Sequence, residues 1–283
     1  MSAQIDHIVV AVRDLSRAAA RYERLGFTLT PRAEHAWGTA NRLAQLRGGN
    51  FIELLEVDRP GLIFPHEPAA SPPVFSFGAH NRDFLEGSEG FSMFVLAGHD
   101  SRADVARFAR AGIRTYAPFD FEREATLPDG RRVKVGFSLA FATHPEMPRL
   151  AFFTCHNRFP ENFWRPAFQT HPNGAERIDE VVLVAREPAR YASFLSAFCG
   201  SEAEPLDGPS EAGLRLACGP HRLTVLTPEA FSDRFGGATI DLSKGPRLAA
   251  ITIEGAGVTP GLTPMTEANG LAIEWRKSGE PDV

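Results

Sequence analysis

A histidine and a glutamate stand inside two apolar runs that predict β-strands. His7 lies in IDHIVVAV, residues 5–12, and Glu53 lies in NFIELLEV, residues 50–57. Because successive side chains of a strand point to opposite faces, each polar residue shares its face with the apolar residues two positions away. A carboxylate in the middle of FIELL is costly to bury without a partner. The two runs therefore predict a polar site on an apolar sheet, with either a metal or a hydrogen-bond network as the partner.

Two other segments combine polar and aromatic side chains. His35 and Asn41 belong to H-x-x-G-T-x-N, directly before a predicted strand. The alternative there is a turn whose polar side chains satisfy local backbone groups. The segment PENFW, residues 160–164, contains Glu161 and Trp164. Its acid and amide could support a site, whereas packing between domains is the alternative for its aromatic residues.

The remaining histidines and the cysteines are given structural roles. Three histidines stand beside Pro or Gly in apparent loops and are expected to be exposed: His144, His171 and His221. The cysteines are widely spaced in apolar stretches, which fits reduced thiols better than disulfides. Cys155 beside His156 could be a nucleophile, but neighbours on a strand point to opposite faces. A buried thiol is therefore the favoured interpretation of Cys155.

Composition narrows the classes of partner. The chain has 283 residues, 43% of them hydrophobic, and a formal charge of -5 without a long run of one sign. It can form a real core, and strong attraction to nucleic acid or to an anionic membrane is not expected. The first residues enter an apolar strand without a basic leader, so the predicted compartment is the cytoplasm. Phosphate-binding glycine loops, serine elbows and paired CxxC motifs are absent from the sequence.

A weak internal repeat predicts the architecture. A β-branched strand, a capping residue, a helix and a glycine occur in this order from residue 5, from residue 91 and from residue 178. About three strand-like runs follow each helix. A fourth copy, from RLAAITIEG to GLAIEW, has almost no room for a helix. We therefore expect an α+β fold of βαβββ modules paired into curved sheets, each of which forms a cleft.

Pairing consecutive modules predicts two domains, residues 1–172 and 173–283. The first would hold modules one and two, and the second would hold module three with the degenerate module four. The connection between them is rich in Pro and Asn. Residues 58–88, rich in Pro, Gly and Ser, are predicted to be a long excursion between modules, of the kind that often binds ligands or closes a site.

The sequence resembles the glyoxalase-like branch of the vicinal-oxygen-chelate superfamily, which includes glyoxalase I, extradiol dioxygenases and bleomycin-resistance proteins. The resemblance is carried by IDHIVVAVRDLSRAAARYERLGF, HAWGTANRLAQL and NFIELLEV, within residues 5–57, and more loosely by FFTCHNRFPENFW and HPNGAERIDEVVLVA. It is fairly specific for the fold and poorly specific for the chemistry, because members isomerise, oxidise, open epoxides or only bind.

The resemblance implies metal ligands on the first and last strands of the modules. Carried onto this sequence, they are His7 and Glu53 in module one, with His156 as a third ligand if it reaches inward. Such a set would suit a divalent metal, namely Zn, Fe, Mn or Ni. The matching first-strand position of module two is Ser92, a poor ligand. In modules three and four the corresponding residues are two acids without an accompanying histidine, for which hydrogen-bonded or exposed carboxylates are expected: Glu180 and Glu274.

Two classes of function follow from the resemblance. The first is a metal-dependent lyase, isomerase or dioxygenase acting on a small, largely apolar, oxygen-bearing molecule, with Glu53 or Glu161 as the base. The second is a metal-free protein that sequesters an apolar compound, as bleomycin-resistance relatives do. Substrate contacts are expected from one set of residues: His35, Asn41, Ser92, Phe153 and Trp164. A homodimer is compatible with either class.

Overall fold

The structure, a computed structural model, describes residues 3–126, 130–206 and 212–279. One sheet is formed by nine strands: β1 (Ile5–Ala11), β2 (Ala33–Glu34), β3 (Thr39–Gln45), β4 (Phe51–Val57), β5 (Gly90–Ala97), β6 (Arg114–Thr115), β7 (Phe119–Thr126), β8 (Arg132–Thr143) and β9 (Ala151–Asn157). The helices along this part of the chain are α1 (Leu15–Arg24), α2 (Phe77–Gly87), α3 (Ser101–Arg110) and α4 (Pro160–Phe163).

The second sheet has seven strands: β10 (Arg177–Val184), β11 (Ala203–Pro205), β12 (Gly213–Cys218), β13 (His221–Leu226), β14 (Arg247–Gly255), β15 (Gly261–Thr263) and β16 (Ala272–Lys277). Its helices are α5 (Ala192–Cys199) and α6 (Pro228–Arg234). The predicted α+β fold of repeated modules is confirmed. Module four runs from β14 to β16 with only a single 3₁₀ turn, Met265–Glu267, in place of a helix.

Helices α1, α3 and α5 lie where the repeat in the sequence predicts them. The carboxylate of Asp14 accepts a hydrogen bond from the backbone of Arg17 and caps α1. Asp100 caps α3 in the same way, which satisfies backbone N–H groups that have no partner within the helix. Helix α5 ends at Gly200, whose φ of 70° lies in the left-handed region that glycine adopts without steric cost.

The two sheets share one core and face their clefts in different directions. Residues of β1 such as Ile8 and Val10 belong to the same buried cluster as Val181 and Leu183 of β10. The opposite faces form two separate buried clusters. One surrounds Phe153 in the first sheet, and the other surrounds Val182 in the second sheet. Each helix-covered face therefore packs towards the other half, and each cleft lies on the face directed away from it.

Buried polar contacts also join the halves. Asn50, which follows the β3–β4 turn, donates to the carbonyl oxygen of Ile178 and accepts from its backbone N–H, both at 2.9 Å. Asn50 is fully buried, and these two hydrogen bonds fix the position of β10. The boundary between residues 172 and 173 stays a prediction, because the shared core joins the two sheets.

Three predictions about local structure are wrong. Residues 58–88 are not one irregular excursion, because they contain α2 and pack Phe75 against Phe141 with ring centroids 4.3 Å apart. His171 is buried, with its Nε2 2.7 Å from the carbonyl oxygen of Gln45. His221 is buried on β13. The proline and glycine beside these histidines mark chain reversals but do not report which side chain turns inward.

No helix among the described residues is long and apolar enough to cross a bilayer.

Candidate active site

The cleft of the first sheet encloses a cavity of about 830 Å³. This is within the usual range for sites that bind small molecules. Its walls are largely apolar and contain many aromatic side chains: Trp37, Phe51, Phe77, Phe121, Phe137, Phe153, Phe163 and Phe168. An interior of this kind favours an apolar or aromatic body and leaves recognition to a few polar groups.

His7 and Glu53 are the polar pair of this cavity. Strands β1 and β4 are parallel neighbours with Val9 beside Glu53, so both side chains point into the cleft, as predicted. The Nε2 atom of His7 lies 3.7 Å from Oε2 of Glu53, and both residues are buried. That distance is too long for a direct hydrogen bond. It leaves the two atoms side by side, facing the same small volume.

A β-bulge brings a second acid to His7. Between Ile5 and His7 the pairing of β1 with β5 slips by one residue, and the extra residue is Asp6. Its Oδ1 makes a short hydrogen bond with Nδ1 of His7. Since a carboxylate can only accept, Nδ1 carries the proton, and the lone pair of Nε2 faces Glu53. The ring also stacks on Phe51 at 4.3 Å, which fixes its orientation.

Glu53 is the end of a hydrogen-bond chain across β3. Asn41 donates from Nδ2 to Oε1 of Glu53 at 2.6 Å, and the same Nδ2 lies 3.5 Å from Nε2 of His35. Nδ1 of His35 is in turn 2.8 Å from the hydroxyl of Thr39. Burial raises the pKa of Glu53, which outweighs the opposing effects of His7 and Asn41. The protonated form of Glu53 is therefore favoured more than in water.

His35 is held as a neutral ring. It stacks on Trp37 with centroids 4.6 Å apart. Burial lowers the pKa of His35 to about 3, and the positive charges of Arg123 and Arg59 act in the same direction. The predicted cluster around His35 and Asn41 thus borders the cavity and supports Glu53, with one ring nitrogen of His35 used by Thr39.

The first-strand position of module two is Met93, and the predicted equivalence of Ser92 is wrong by one residue. Strands β1 and β5 are antiparallel, with His7 opposite Val95 and Val9 opposite Met93. The twofold axis of such a pair exchanges His7 with Met93 and Val9 with Val95. Met93 is as far along the chain from the helix cap Asp100 as His7 is from the cap Asp14, and the prediction of Ser92 is displaced from this register by one residue.

Ser92 is buried under α2, away from the open part of the cavity. Its hydroxyl donates to Oδ1 of Asn81 on α2 at 2.8 Å, and it does not line the cavity. The last-strand equivalent of Glu53 is Phe153, because β9 places Phe153 beside Val95 as β4 places Glu53 beside Val9. Phe153 does line the cavity, as predicted for a substrate contact. Module two therefore offers a thioether and a phenyl ring at the positions where module one offers an imidazole and a carboxylate.

Besides Ser92, three further predicted site residues are not brought to the His7–Glu53 pair. His156 follows Cys155 on β9, and Cys155 faces the cavity, so strand alternation directs His156 to the opposite face. Glu161 is exposed on α4 and does not line the cavity. Trp164 packs on Phe51 with centroids 5.9 Å apart, one layer behind the wall. Its neighbour in the sequence, Phe163, is the aromatic residue that reaches the cavity.

A group of possible metal ligands is present beside the pair. One ligand atom each from Asp6, His7 and Cys155 lie within 4.8 Å of one another. Asp6 is already engaged by the Nδ1 proton of His7, and burial raises the pKa of the Cys155 thiol well above its ordinary value, which disfavours the thiolate that binds metals. With Met93 and Phe153 at the two other facing positions, these residues do not fit a centre of three or four protein ligands.

Sequence reasoning missed several residues of this cavity. Asp6, which holds His7 but does not itself line the cavity, was missed because the bulge is not visible in the pattern. Arg123 was missed because its strand, β7, was not predicted from FDFEREAT. The alternation of Phe119, Phe121 and Arg123 with acids in that run was the available signal.

The second cleft is filled by the protein itself. The bulge between Ile178 and Glu180 repeats the one between Ile5 and His7, so Glu180 stands where His7 stands in the first sheet. Arg234 of α6 places Nη2 2.5 Å from Oε2 of Glu180 and 2.6 Å from Oε2 of Glu274. Both acids are therefore hydrogen-bonded carboxylates, the interpretation favoured from the sequence.

Comparisons with known proteins agree with this architecture. A structure of a hypothetical protein from Staphylococcus aureus is similar at a TM-score of 0.69 with 15% identity, over 97% of this chain and 99% of that one. A mutant 4-hydroxymandelate synthase from Streptomyces coelicolor gives 0.57 with 13% identity, over 100% and 94%. The Mn(II)-bound glyoxalase from Novosphingobium aromaticivorans gives 0.54 with 14% identity, over 99% and 83%. At these identities the likeness shows the fold alone.

No curated protein matches the sequence. The family model described as a glyoxalase-like domain matches residues 5–199, which include the whole first sheet together with β10 and α5. The fold is that of the vicinal-oxygen-chelate superfamily, and the chain belongs to the glyoxalase-like domain family.

Proposed function

We propose that this protein is a lyase or isomerase that moves a proton on a small, largely aromatic, oxygen-bearing molecule held in the cavity of the first sheet. His7 is the base, and Glu53 is the acid. The observation that carries the proposal is the pair of atoms Nε2 of His7 and Oε2 of Glu53, 3.7 Å apart at the cavity wall, each held from behind by another side chain.

His7 can accept a proton and Glu53 can donate one. Asp6 fixes the His7 tautomer, so that the lone pair of Nε2 faces the cavity. The raised pKa of Glu53 favours a proton on its carboxyl group, and the amide of Asn41 holds the other oxygen. A base and an acid side by side on one apolar surface are the arrangement that general acid–base catalysis requires.

The proposed step removes a proton from carbon next to a carbonyl group. The C–H bond breaks as Nε2 of His7 takes the proton, and the electron pair forms the carbon–carbon double bond of an enol. The carbonyl oxygen receives the proton of Glu53. With a 2-hydroxyketone, His7 returns its proton to the former carbonyl carbon while the other enediol hydroxyl gives its proton to Glu53, which completes an isomerisation and restores both residues. In an elimination, a group on the carbon beyond the enol double bond leaves with the proton of His7, while the enol hydroxyl returns its proton to Glu53 and the carbonyl group forms again. The aromatic walls exclude water from these charges.

Deuterium exchange tests the proposal. A panel of aryl ketones and aryl 2-hydroxyketones is incubated with the protein in D₂O, and loss of the proton next to the carbonyl is followed by ¹H NMR. We expect exchange with at least one compound, reduced about 100-fold or more by His7→Gln and by Glu53→Gln. Glu161→Gln is the matched control, because Glu161 is an exposed acid near the cavity that does not line it.

The same assay decides whether a metal takes part. Protein treated with EDTA should exchange as fast as protein supplied with Mn(II), because the facing positions offer only His7 and Glu53 beside Met93 and Phe153. Exchange that needs Mn(II) would support the metal-dependent interpretation of His7 and Glu53 instead. Exchange that survives Glu53→Gln, or no exchange across the panel, would contradict the proposed reaction.

A metal-free binding protein is the second candidate. The observation that favours it is the replacement of the second pair of facing positions by Met93 and Phe153, which makes that side of the cleft apolar. A sequestering protein would bind members of the panel, exchange none of them, and keep its affinity in Glu53→Gln.

A further inference from the structure

Most charged residues around the cavity are paired with a residue of opposite charge, but among the described residues two arginines are not. Arg32 is paired with Glu56 and with Asp58, and Glu124 is paired with Arg132. Glu34, the remaining acid at the rim, pairs with Arg32 and with Arg59 at 3.0 Å. These groups cancel one another and leave no charge to recognise a ligand.

Two arginines on different elements of the cavity wall lack a carboxylate partner. Arg123 pairs with Val135 through the backbone of β7 and β8, but its guanidinium has no hydrogen bond or ion pair within the described ranges 3–126, 130–206 and 212–279. Arg165, which follows α4, donates to the backbone oxygen of Asn162 at 3.0 Å, and no acid pairs with it in the described part of the chain. The backbone N–H of Arg165 is fixed by Oε1 of Gln45 at 3.1 Å, so this wall has a defined position.

The positive charge of Arg123 influences a residue of the cavity wall, His35. Burial beside Trp37 is the main reason why the pKa of His35 is lowered, and the positive charge of Arg123 lowers it further. Its strand neighbour Phe121 packs against Trp37 with centroids 4.7 Å apart. The guanidinium therefore stands at the rim above an aromatic wall, with the His7–Glu53 pair farther inside.

We propose that the ligand of this cavity is an aromatic or aliphatic carboxylate whose anionic group is bound at the rim by Arg123, with Arg165 adding positive charge. This inference rests on the proposed function, since it uses the same cavity, and it adds the charge of the substrate class. A guanidinium without a carboxylate partner binds a planar carboxylate through two parallel N–H donors. The apolar body then lies against the aromatic walls and directs its other end towards His7 and Glu53.

A pair of isosteric probes separates charge from shape. Binding of 2-naphthoate and of neutral 2-naphthamide is measured by isothermal titration calorimetry at low ionic strength. We expect 2-naphthoate to bind about tenfold more tightly than 2-naphthamide. Arg123→Gln should remove that preference by weakening 2-naphthoate while leaving 2-naphthamide unchanged. Raising the salt concentration should reduce the preference in the wild type, because a charge at the rim is screened.

Arg110→Gln is the matched control. Arg110 is exposed in the last turn of α3 and does not line the cavity, so the variant changes the net charge equally. Its preference for 2-naphthoate should equal that of the wild type. Equal binding of the two probes by the wild type, binding of neither, or equal loss of preference in both variants would overturn the inference. Equal binding of both probes together with exchange that depends on His7 and Glu53 would leave the proposed reaction standing, so the two failures are distinguishable.

Discussion

The two clefts are built on matching strands but treat their buried acids in opposite ways. In the first, the amide of Asn41 donates to Glu53, and burial raises the pKa of Glu53. In the second, burial would also raise the pKa of Glu180, but the hydrogen bonds and charge of Arg234 outweigh it and hold that pKa at about 2. One arginine thus decides whether an acid on a cleft face is available for proton transfer or locked as a carboxylate.

The source of the difference is the helix between the modules. In the second half, α6 follows β13 directly and places Phe231, Arg234 and Phe235 in the cleft. In the first half, α2 comes after a longer segment, and its polar contact is Asn81 with Ser92. The helix of the first half therefore covers the far end of the cleft and leaves the His7–Glu53 end open.

Removal of Arg234 should have the largest effect on stability. Arg234→Met removes the nearer cation of Glu180 and leaves Arg222, with Nε 3.6 Å from Oε1, as the remaining one. Loss of one partner of a buried ion pair costs about 3–5 kcal/mol. Urea denaturation measures the free energy of unfolding. Arg82→Met is the control, because Arg82 pairs with Asp83 on the surface and such pairs contribute about 0–1 kcal/mol. A loss in Arg234→Met no larger than in the control would show that the second cleft is not held by this arginine.

Acid should weaken the second cleft specifically. The pKa of Glu180 falls from an ordinary value of 4.5 to about 2 in the folded protein, so its contribution is present above pH 4.5 and is lost as the pH falls towards 2. Glu180→Gln should have a flatter dependence of unfolding free energy on pH in this window. Parallel curves for the variant and the wild type would contradict the assignment.

Replacing Glu180 and Glu53 by neutral glutamine should change the stability of the protein in opposite directions. Glu180→Gln at neutral pH should lose about 1–3 kcal/mol, because charge-assisted hydrogen bonds from Arg234 become weaker. Glu53→Gln should keep or gain stability, since a buried carboxyl group whose folded pKa is raised is destabilised by ionisation as the pH rises. Thermal unfolding of both variants at pH 7 measures the contrast. An equal loss of stability in Glu53→Gln and Glu180→Gln would contradict the expected contrast between the two acids.

The smallest effect is expected at Ser92. Ser92→Ala removes the donor to Asn81 and should cost about 1 kcal/mol, without changing the affinity for 2-naphthamide. Chemical denaturation and calorimetry on the same sample measure both quantities. Weaker probe binding in Ser92→Ala would place Ser92 in the site after all.

Much of the fold could be predicted from local chemistry. Asp14 and Asp100 cap the helices of modules one and two, and strand alternation directs His7 and Glu53 to one face. The Pro-rich context of residues 58–88 concealed α2, because its apolar residues pack on the cleft instead of forming a regular helical face.

The candidate site was harder to predict, because it depends on register. A bulge of one residue moves Asp6 to the face of His7, and a matching bulge at Ser92 leaves Met93 at the position equivalent to His7. Neither changes the apolar pattern of the strand. Arg234 was missed for a different reason: its partner Glu180 is 54 residues away in the sequence, and such a pairing has no local signal.

The contrast between an open and a filled cleft can be tested with the indole N–H signals of two tryptophans. Trp37 lines the first cavity, and its buried Nε1 has no hydrogen-bond partner in the described part of the chain, whereas Nε1 of Trp275 donates to Thr263 in the second half at 2.8 Å. In a ¹⁵N–¹H correlation spectrum assigned by Trp→Phe substitution, added 2-naphthamide should shift the Trp37 signal and leave Trp275 in place. A shift at Trp275 with Trp37 unchanged, or no shift at either, would contradict the account.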